Sequence, residues 1–240
     1  QGLKATLVRM LIKTMYKFAL GGKNSHVIVQ NPDDKAVLDS IVKVPITLIR
    51  GSGVDLSQYE YIEENNQKIK VSMACRLLKD KGVFEYIEAS KILKKKYLNV
   101  KFELYGDIDI HNPASLTSDD IKKIKEEGFV NVYGFSSDIA KVFCDSNIIV
   151  LPSYREGLPK VLIEAAACGR AVVTTDVPGC RDAIEPNVTG LLCEVKDTES
   201  LARMIEKLII DEKLRNRMGY EGRKLAEQEF DINKVVEKHF

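Results

Sequence analysis

Six short runs rich in apolar and β-branched residues, at 70–75, 100–106, 130–134, 148–151, 171–174 and 190–193, alternate with stretches of helical spacing through most of this chain. Helices are expected near 83–96, 118–127, 137–145 and 158–168, and from 200 onward. Apolar strands alternating with helices predict an α/β fold whose parallel sheet is covered on both faces. In such sheets ligands bind at the carboxyl ends of the strands. Arg76, Phe135, Ser153 and Thr175 all fall just past predicted strand ends, so the candidate site residues converge on one edge.

Ahead of this series the chain opens on Gln1 and passes directly into a helical pattern. Leu3, Leu7, Leu11, Thr14 and Phe18 share one face, with Arg9, Lys13 and Lys17 opposite. A fragment of a longer protein is expected. A strand at 27–30, a turn at Asn31-Pro32-Asp33-Asp34 and a strand at 46–50 precede the punctuation Gly51-Ser52-Gly53. The expected organisation is therefore the tail of one domain over 1–50, a linker over 51–67, a second domain over 68–226 and a closing helix over 227–240, with Asp231 as its N-cap.

The 36 basic and 35 acidic residues nearly cancel, so no global field argues for a nucleic-acid partner and any anion site must be local. Five scattered cysteines, without C-x2-C spacing or a neighbouring histidine, read as a reducing cytosol without structural zinc. No apolar run approaches the roughly 20 residues a membrane-spanning helix needs.

The chemistry concentrates in Tyr154-Arg155-Glu156-Gly157-Leu158-Pro159-Lys160-Val161-Leu162-Ile163-Glu164. The predicted strand at 148–151 runs into a loop holding Glu156, and a helix starting at about Leu158 carries Glu164. Pro159 suits the first helical position, and the free amides behind it, with the helix dipole, form an anion site. An ionised carboxylate is acceptor-only with several lone-pair sites, which matches a vicinal diol. Arg76 and Lys81 supply a forked guanidinium and a point charge for a diphosphate, with Lys79 the weaker candidate. Two acids beside a phosphate cradle suggest a sugar nucleotide; two solvated glutamates near a helix are the bland alternative.

The E-x7-E spacing with Gly157 and Pro159 resembles the donor-site motif of retaining glycosyltransferases of family 4, which have the two-domain GT-B fold. Gly51-Ser52-Gly53-Val54-Asp55 is similar to that family's linker, Arg76-Leu77-Leu78-Lys79-Asp80-Lys81-Gly82 to its phosphate-binding segment, and Val132-Tyr133-Gly134-Phe135 to its base-binding strand end. The resemblance implies a Rossmann-like donor domain plus a piece of the N-terminal acceptor domain, hence a donor half-site. It assigns Arg76 and Lys81 to the pyrophosphate and leaving group, Glu156 to hydroxyls of the donor sugar and Glu164 to the ribose. Gly157 would let the backbone approach the sugar. Gly53, Ser153, Leu158 and Pro159 complete the donor-binding set, with Lys160 as a further phosphate contact and Phe135-Ser136-Ser137 beside the base. Residues 230–240 resemble the helix that crosses back onto the acceptor domain.

Gly179-Cys180-Arg181 resembles the subgroup that builds capsule, O-antigen or lipid-linked oligosaccharides, which implies a UDP-linked N-acetylhexosamine donor and a glycan or polyprenyl-linked acceptor at the inner face of the membrane. For the first helix two readings stay open: packing in the core of the acceptor domain, or contact of Arg9, Lys13 and Lys17 with anionic head groups. No metal or other cofactor is implied. Asp107-Ile108-Asp109 sits in a variable loop, and His26, His111 and His239 lack partners at ligand spacing. An epimerase or hydrolase of UDP-N-acetylglucosamine, or a non-catalytic nucleotide-sugar-binding module, are the alternatives.

Overall fold

In the computed structural model, which describes residues 3–22, 24–65 and 67–239, helix α1 (Leu3–Leu20) is followed by β1 (Val27–Val29), α2 (Pro32–Asp39) and β2 (Ile46–Leu48). Beyond the connecting segment 51–67 come β3 (Lys70–Ala74), α3 (Val83–Lys94), β4 (Lys101–Tyr105), α4 (Ser118–Glu127), β5 (Asn131–Gly134), α5 (Ile139–Cys144), β6 (Ile148–Leu151), α6 (Lys160–Ala167), β7 (Ala171–Thr175) and β8 (Gly190–Cys193). Helices α7 (Thr198–Ile210), α8 (Glu212–Leu225) and α9 (Ile232–Glu237) close the chain, the last two joined by a π-helical turn. Gln1, Gly2, Lys23, Asn66 and Phe240 lie outside the described residues, as do the side chains of Leu3, Lys4 and Ala5.

Strands β3 to β8 form one parallel sheet in the order β5-β4-β3-β6-β7-β8, and β1 pairs with β2 in a separate parallel pair. Every residue of β6 and β7 is buried, as continuous Ile-Ile-Val-Leu and Ala-Val-Val-Thr-Thr runs require of strands covered on both faces. The helices lie where their small and branched residues permit: α6 buries Leu162 through Ala167 and packs on α8, while α3 packs on α7. Helix α4 begins at a reciprocal cap, Thr117 accepting from Asp120 N while Asp120 accepts from Thr117 N. Asp231 caps α9 as expected, accepting from Asn233 N.

Two local expectations need correction. Asn31-Pro32-Asp33-Asp34 is not a free turn but the start of α2: Asn31 accepts from Asp34 N and Pro32 takes the first turn, where its missing N–H is harmless. Helix α6 starts at Lys160 rather than Leu158, because Pro159 is extended (ψ 119°) and serves as the N-cap residue. In α1 the side chains from Thr6 to Ala19 are exposed, Leu7, Leu11 and Phe18 among them. Among the described residues no helix is long and apolar enough to cross a membrane.

Candidate functional site

From β3 the sheet grows outward through β4 and β5; the chain then returns to the other side of β3 and grows through β6, β7 and β8. The loops leaving β3 and β6 therefore meet where strand order reverses, the place at which such sheets open a crevice. Hydrogen bonds stitch the two loops together: Ser153 Oγ donates to Asp80 O at 3.1 Å, and Tyr154 N donates to the same carbonyl at 2.8 Å. That seam delivers Lys81 to Glu156, Nζ to Oε1 2.5 Å, with only 18% and 13% of the two side chains exposed. Ser153 itself is fully buried with its hydroxyl held by a main-chain carbonyl, so the structure places it in the seam.

Beside the seam a cavity of about 600 Å³ opens at the carboxyl ends of β3, β4 and β5. Arg76, Phe135, Lys160 and Glu164 line it together with Tyr59 and Asp109. Glu164, on the second turn of α6, is a buried acid whose Oε1 accepts from Tyr59 OH at 2.7 Å and lies 3.5 Å from Lys160 Nζ. Arg76 is 65% exposed and reaches Asp109 Oδ2 at 3.3 Å, an ion pair of the weak, screened kind. Phe135 presents an exposed ring at the rim, while its amide donates to Asp107 Oδ1 at 3.2 Å. Both acids of Asp107-Ile108-Asp109 thus have protein partners.

The Lys81–Glu156 pair lies within electrostatic reach of the cavity lining. Burial pushes the Cys75 thiol, which lines the cavity, up to about 12, with the charges of Lys81 and Glu156 both acting on it. The Cys180 thiol, past β7, is likewise pushed by burial to about 11 and feels the same two charges. The pair accordingly sits between the end of β3 and the loop after β7.

The remaining candidates support this arrangement from outside the cavity. Leu158 is buried, and it lies so close to Gly51 that a Cβ there would meet its Cδ2 at 2.6 Å. Gly53 has φ +77° and abuts Ile232 at the start of α9, so its observed surroundings are the closing segment. The carbonyl of Gly157 accepts from Asn31 Nδ2 at 2.8 Å, and a Cβ on Gly157 would stand 3.0 Å from Gln30 Oε1. Gly179, at φ +80°, lets the loop after β7 press on the main chain at Glu156 and Gly157; a Cβ would come within 2.5 Å of both carbonyl oxygens.

Three contributors escaped the sequence reading. Tyr59 and Asn31 have partners 105 and 126 positions away, which no local pattern reports. Asn31 carried a signal, since Asn-Pro followed by two acids is also a helix start. Gly179 was read only as part of a subgroup resemblance, not as the glycine on which the Glu156 loop rests.

With this geometry in view, comparison with known proteins is informative. The chain is 31% identical, over its whole length and 65% of the relative's, to the N,N'-diacetylbacillosaminyl-diphospho-undecaprenol alpha-1,3-N-acetylgalactosaminyltransferase of Campylobacter jejuni. It thus spans less than two thirds of that relative. Among solved structures, sucrose-phosphate synthase from Thermosynechococcus elongatus superposes with a TM-score of 0.82 at 23% identity, covering 96% of this chain and 60% of that one. Anabaena HepE in complex with UDP-glucose superposes at 0.76 and 20% identity, covering 94% of this chain and 66% of that one. These likenesses establish the α/β, GT-B type of fold. The profile described as glycosyl transferases group 1 matches residues 58–225, the span that carries every strand of the large sheet, and the chain belongs to that family.

Proposed function

We propose that the chain is the donor-binding part of a retaining, family 4 glycosyltransferase that takes a UDP-sugar, with N-acetylhexosamine as the transferred sugar, and passes it to a glycan or polyprenyl-linked acceptor in cell-surface polysaccharide synthesis. The observation that carries this reading is the cavity at the switch in strand order, where Glu164, Arg76, Lys160 and the exposed Phe135 ring converge beside the Lys81–Glu156 pair. The name of the Campylobacter relative and the UDP-glucose complex of HepE support it.

In this reading Glu164 accepts from the ribose hydroxyls and Phe135 stacks on the base with Ser136 and Ser137 nearby. Arg76, Lys160 and the first amides of α6 bind the pyrophosphate, and Lys81 turns to it once sugar hydroxyls satisfy Glu156. The departing diphosphate is stabilised by these cations without a metal, and the acceptor hydroxyl enters from the face the diphosphate leaves. Residues 1–50 belong to the acceptor domain, 51–67 to the linker, 68–226 to the donor domain and 227–240 to the crossing helix. The rest of the acceptor site comes from sequence outside these residues, so the 240-residue chain binds donor and transfers little. The complete enzyme works on the cytoplasmic face of the membrane.

The test is calorimetric titration with UDP, GDP and uridine. UDP is expected to bind best, and Glu164→Ala to lose the equivalent of one hydrogen bond to a charged acceptor, about 1.5–3 kcal/mol. Unchanged UDP affinity in Glu164→Ala refutes the assignment.

A further inference from the structure

The cavity contains a polar group that none of the site motifs supplies. Tyr59 comes from the connecting segment 51–67, outside the large sheet, yet it is almost wholly buried and lines the cavity. Its hydroxyl donates to Glu164 Oε1 at 2.7 Å, and the ammonium of Lys160 stands 3.5 Å from the same oxygen. Both cavity-side donors thus act on Oε1; no hydrogen bond within the described residues engages Oε2, which is left for a ligand.

The position of Tyr59 is itself fixed. Arg223 Nη1, from α8, donates to Tyr59 O at 2.7 Å and to Ala167 O, at the end of α6, at 2.6 Å, while its Nε donates to Glu227 Oε1 at 2.6 Å. One guanidinium thereby sets the spacing between the connecting segment and the helix that carries Glu164. Burial, then the hydrogen bond to Glu164, push the Tyr59 phenol well above its ordinary value, so it remains a donor throughout the working pH range.

We infer that Tyr59 is a positioning residue for Glu164: by holding Oε1 it aims Oε2 at the ribose hydroxyls and so sets the preference of the site for ribonucleotides over deoxyribonucleotides. The inference rests on the proposed ribose role of Glu164. A carboxylate that has lost the phenol can rotate about its last torsion and offer either oxygen to Lys160. It still binds charge but no longer presents a fixed acceptor to a diol.

The experiment titrates UDP and 2′-deoxy-UDP into the unaltered chain and into Tyr59→Phe, Glu164→Ala and the double variant, with thermal unfolding as a control. A lost hydrogen bond to a charged acceptor predicts a preference for UDP of about tenfold or more in the unaltered chain. Tyr59→Phe, which removes one oxygen and leaves the ring in place, should bring the preference down to about threefold or less, mainly by weakening UDP. In the Glu164→Ala background, where the preference is gone, Tyr59→Phe should change nothing further. If Tyr59→Phe keeps the full preference while Glu164→Ala abolishes it, the positioning role is wrong and the ribose role of Glu164 stands. If Glu164→Ala keeps the preference, the ribose role itself fails and the inference falls with it. If Tyr59→Phe weakens UDP binding as much in the Glu164→Ala background as in the unaltered chain, the inference is also overturned, since the tyrosine would then act through another group.

Discussion

Replacing Lys81 with alanine should destabilise the fold by far more than a surface lysine does, and removing the charge of Glu156 as well should restore most of the loss. The two side chains meet at 2.5 Å with 18% and 13% of their surfaces exposed, so Lys81→Ala leaves a carboxylate largely cut off from water. Deleting one partner of a fully buried pair costs about 3–5 kcal/mol; the residual access here lets some water reach Glu156 and lowers the figure to about 2–3 kcal/mol. For a chain of this length that corresponds to a fall in melting temperature of about 4–12 °C. Adding Glu156→Gln in the Lys81→Ala background removes the orphaned charge, and the double variant should melt within about 1 kcal/mol of the unaltered chain. Thermal unfolding of the four proteins at one pH and low salt decides the matter. If the two single losses simply add, the pair is not coupled and the charge balance argued for the site is wrong.

The thiols offer a test with a pH axis. The hydrogen bond with Cys168, assisted by Arg170, holds the Cys144 thiol below the ordinary range, whereas burial raises Cys75 and Cys193 to about 12 and Cys180 to about 11. Since the thiolate is the nucleophile, iodoacetamide should label Cys144 first as pH rises and leave Cys75, Cys180 and Cys193 unmodified near neutrality; equal labelling of a Cys144→Ser protein would contradict this. If the basic face of α1 contacts anionic head groups, one of the two readings open for this helix, changing Arg9, Lys13 and Lys17 together to Gln should weaken co-sedimentation with anionic vesicles at low salt by on the order of a hundredfold, from about 1 kcal/mol per charge. Unchanged sedimentation removes the basic face of α1 from any account of the acceptor.

What the sequence disclosed was whatever depends on neighbours along the chain. Strands β6 and β8 fall on the expected residues and α4 on its expected span, because continuous apolar runs and the Thr117-to-Asp120 cap are local signals. The convergence of Arg76 and Phe135 was legible too, since a parallel sheet sends all its strand ends to one edge; Ser153 and Thr175, expected at that same edge, are bonded to one another instead, Thr175 Oγ1 donating to Ser153 O. Hidden from it were the tertiary contacts that decide what each residue does there. Ser153 was placed in the site from its position after β6, and its bond to the carbonyl of Asp80, 73 positions away, has no local signal. Pro159 looked like a first helical residue, yet its backbone is extended and it serves as the N-cap residue of α6. Tyr59 had no motif at all, because its meaning lies in Glu164 and Arg223, far along the chain.

The charges of the site are already paired, and under the proposed function this orders the events of donor binding. Lys81 faces Glu156, Lys160 and Tyr59 face Glu164, and Arg76 faces Asp109, so a diphosphate must exchange partners with existing pairs. The exposed Arg76–Asp109 pair, at 3.3 Å, is worth no more than about 1 kcal/mol and yields first. The sequestered Lys81–Glu156 pair yields only when another donor set satisfies the carboxylate, because an unpaired buried charge is the costlier alternative. Hydroxyl groups of a sugar meet that need, whereas a bare nucleotide brings none to that position. Arg76 is therefore suited to holding any nucleoside diphosphate, and Lys81 to engaging the phosphates when a sugar is attached. The two basic residues stand five positions apart after one strand, but the loop from β6 pairs only Lys81 with Glu156; in the proposed reaction this makes the cation assigned to the leaving group conditional on the group to be transferred.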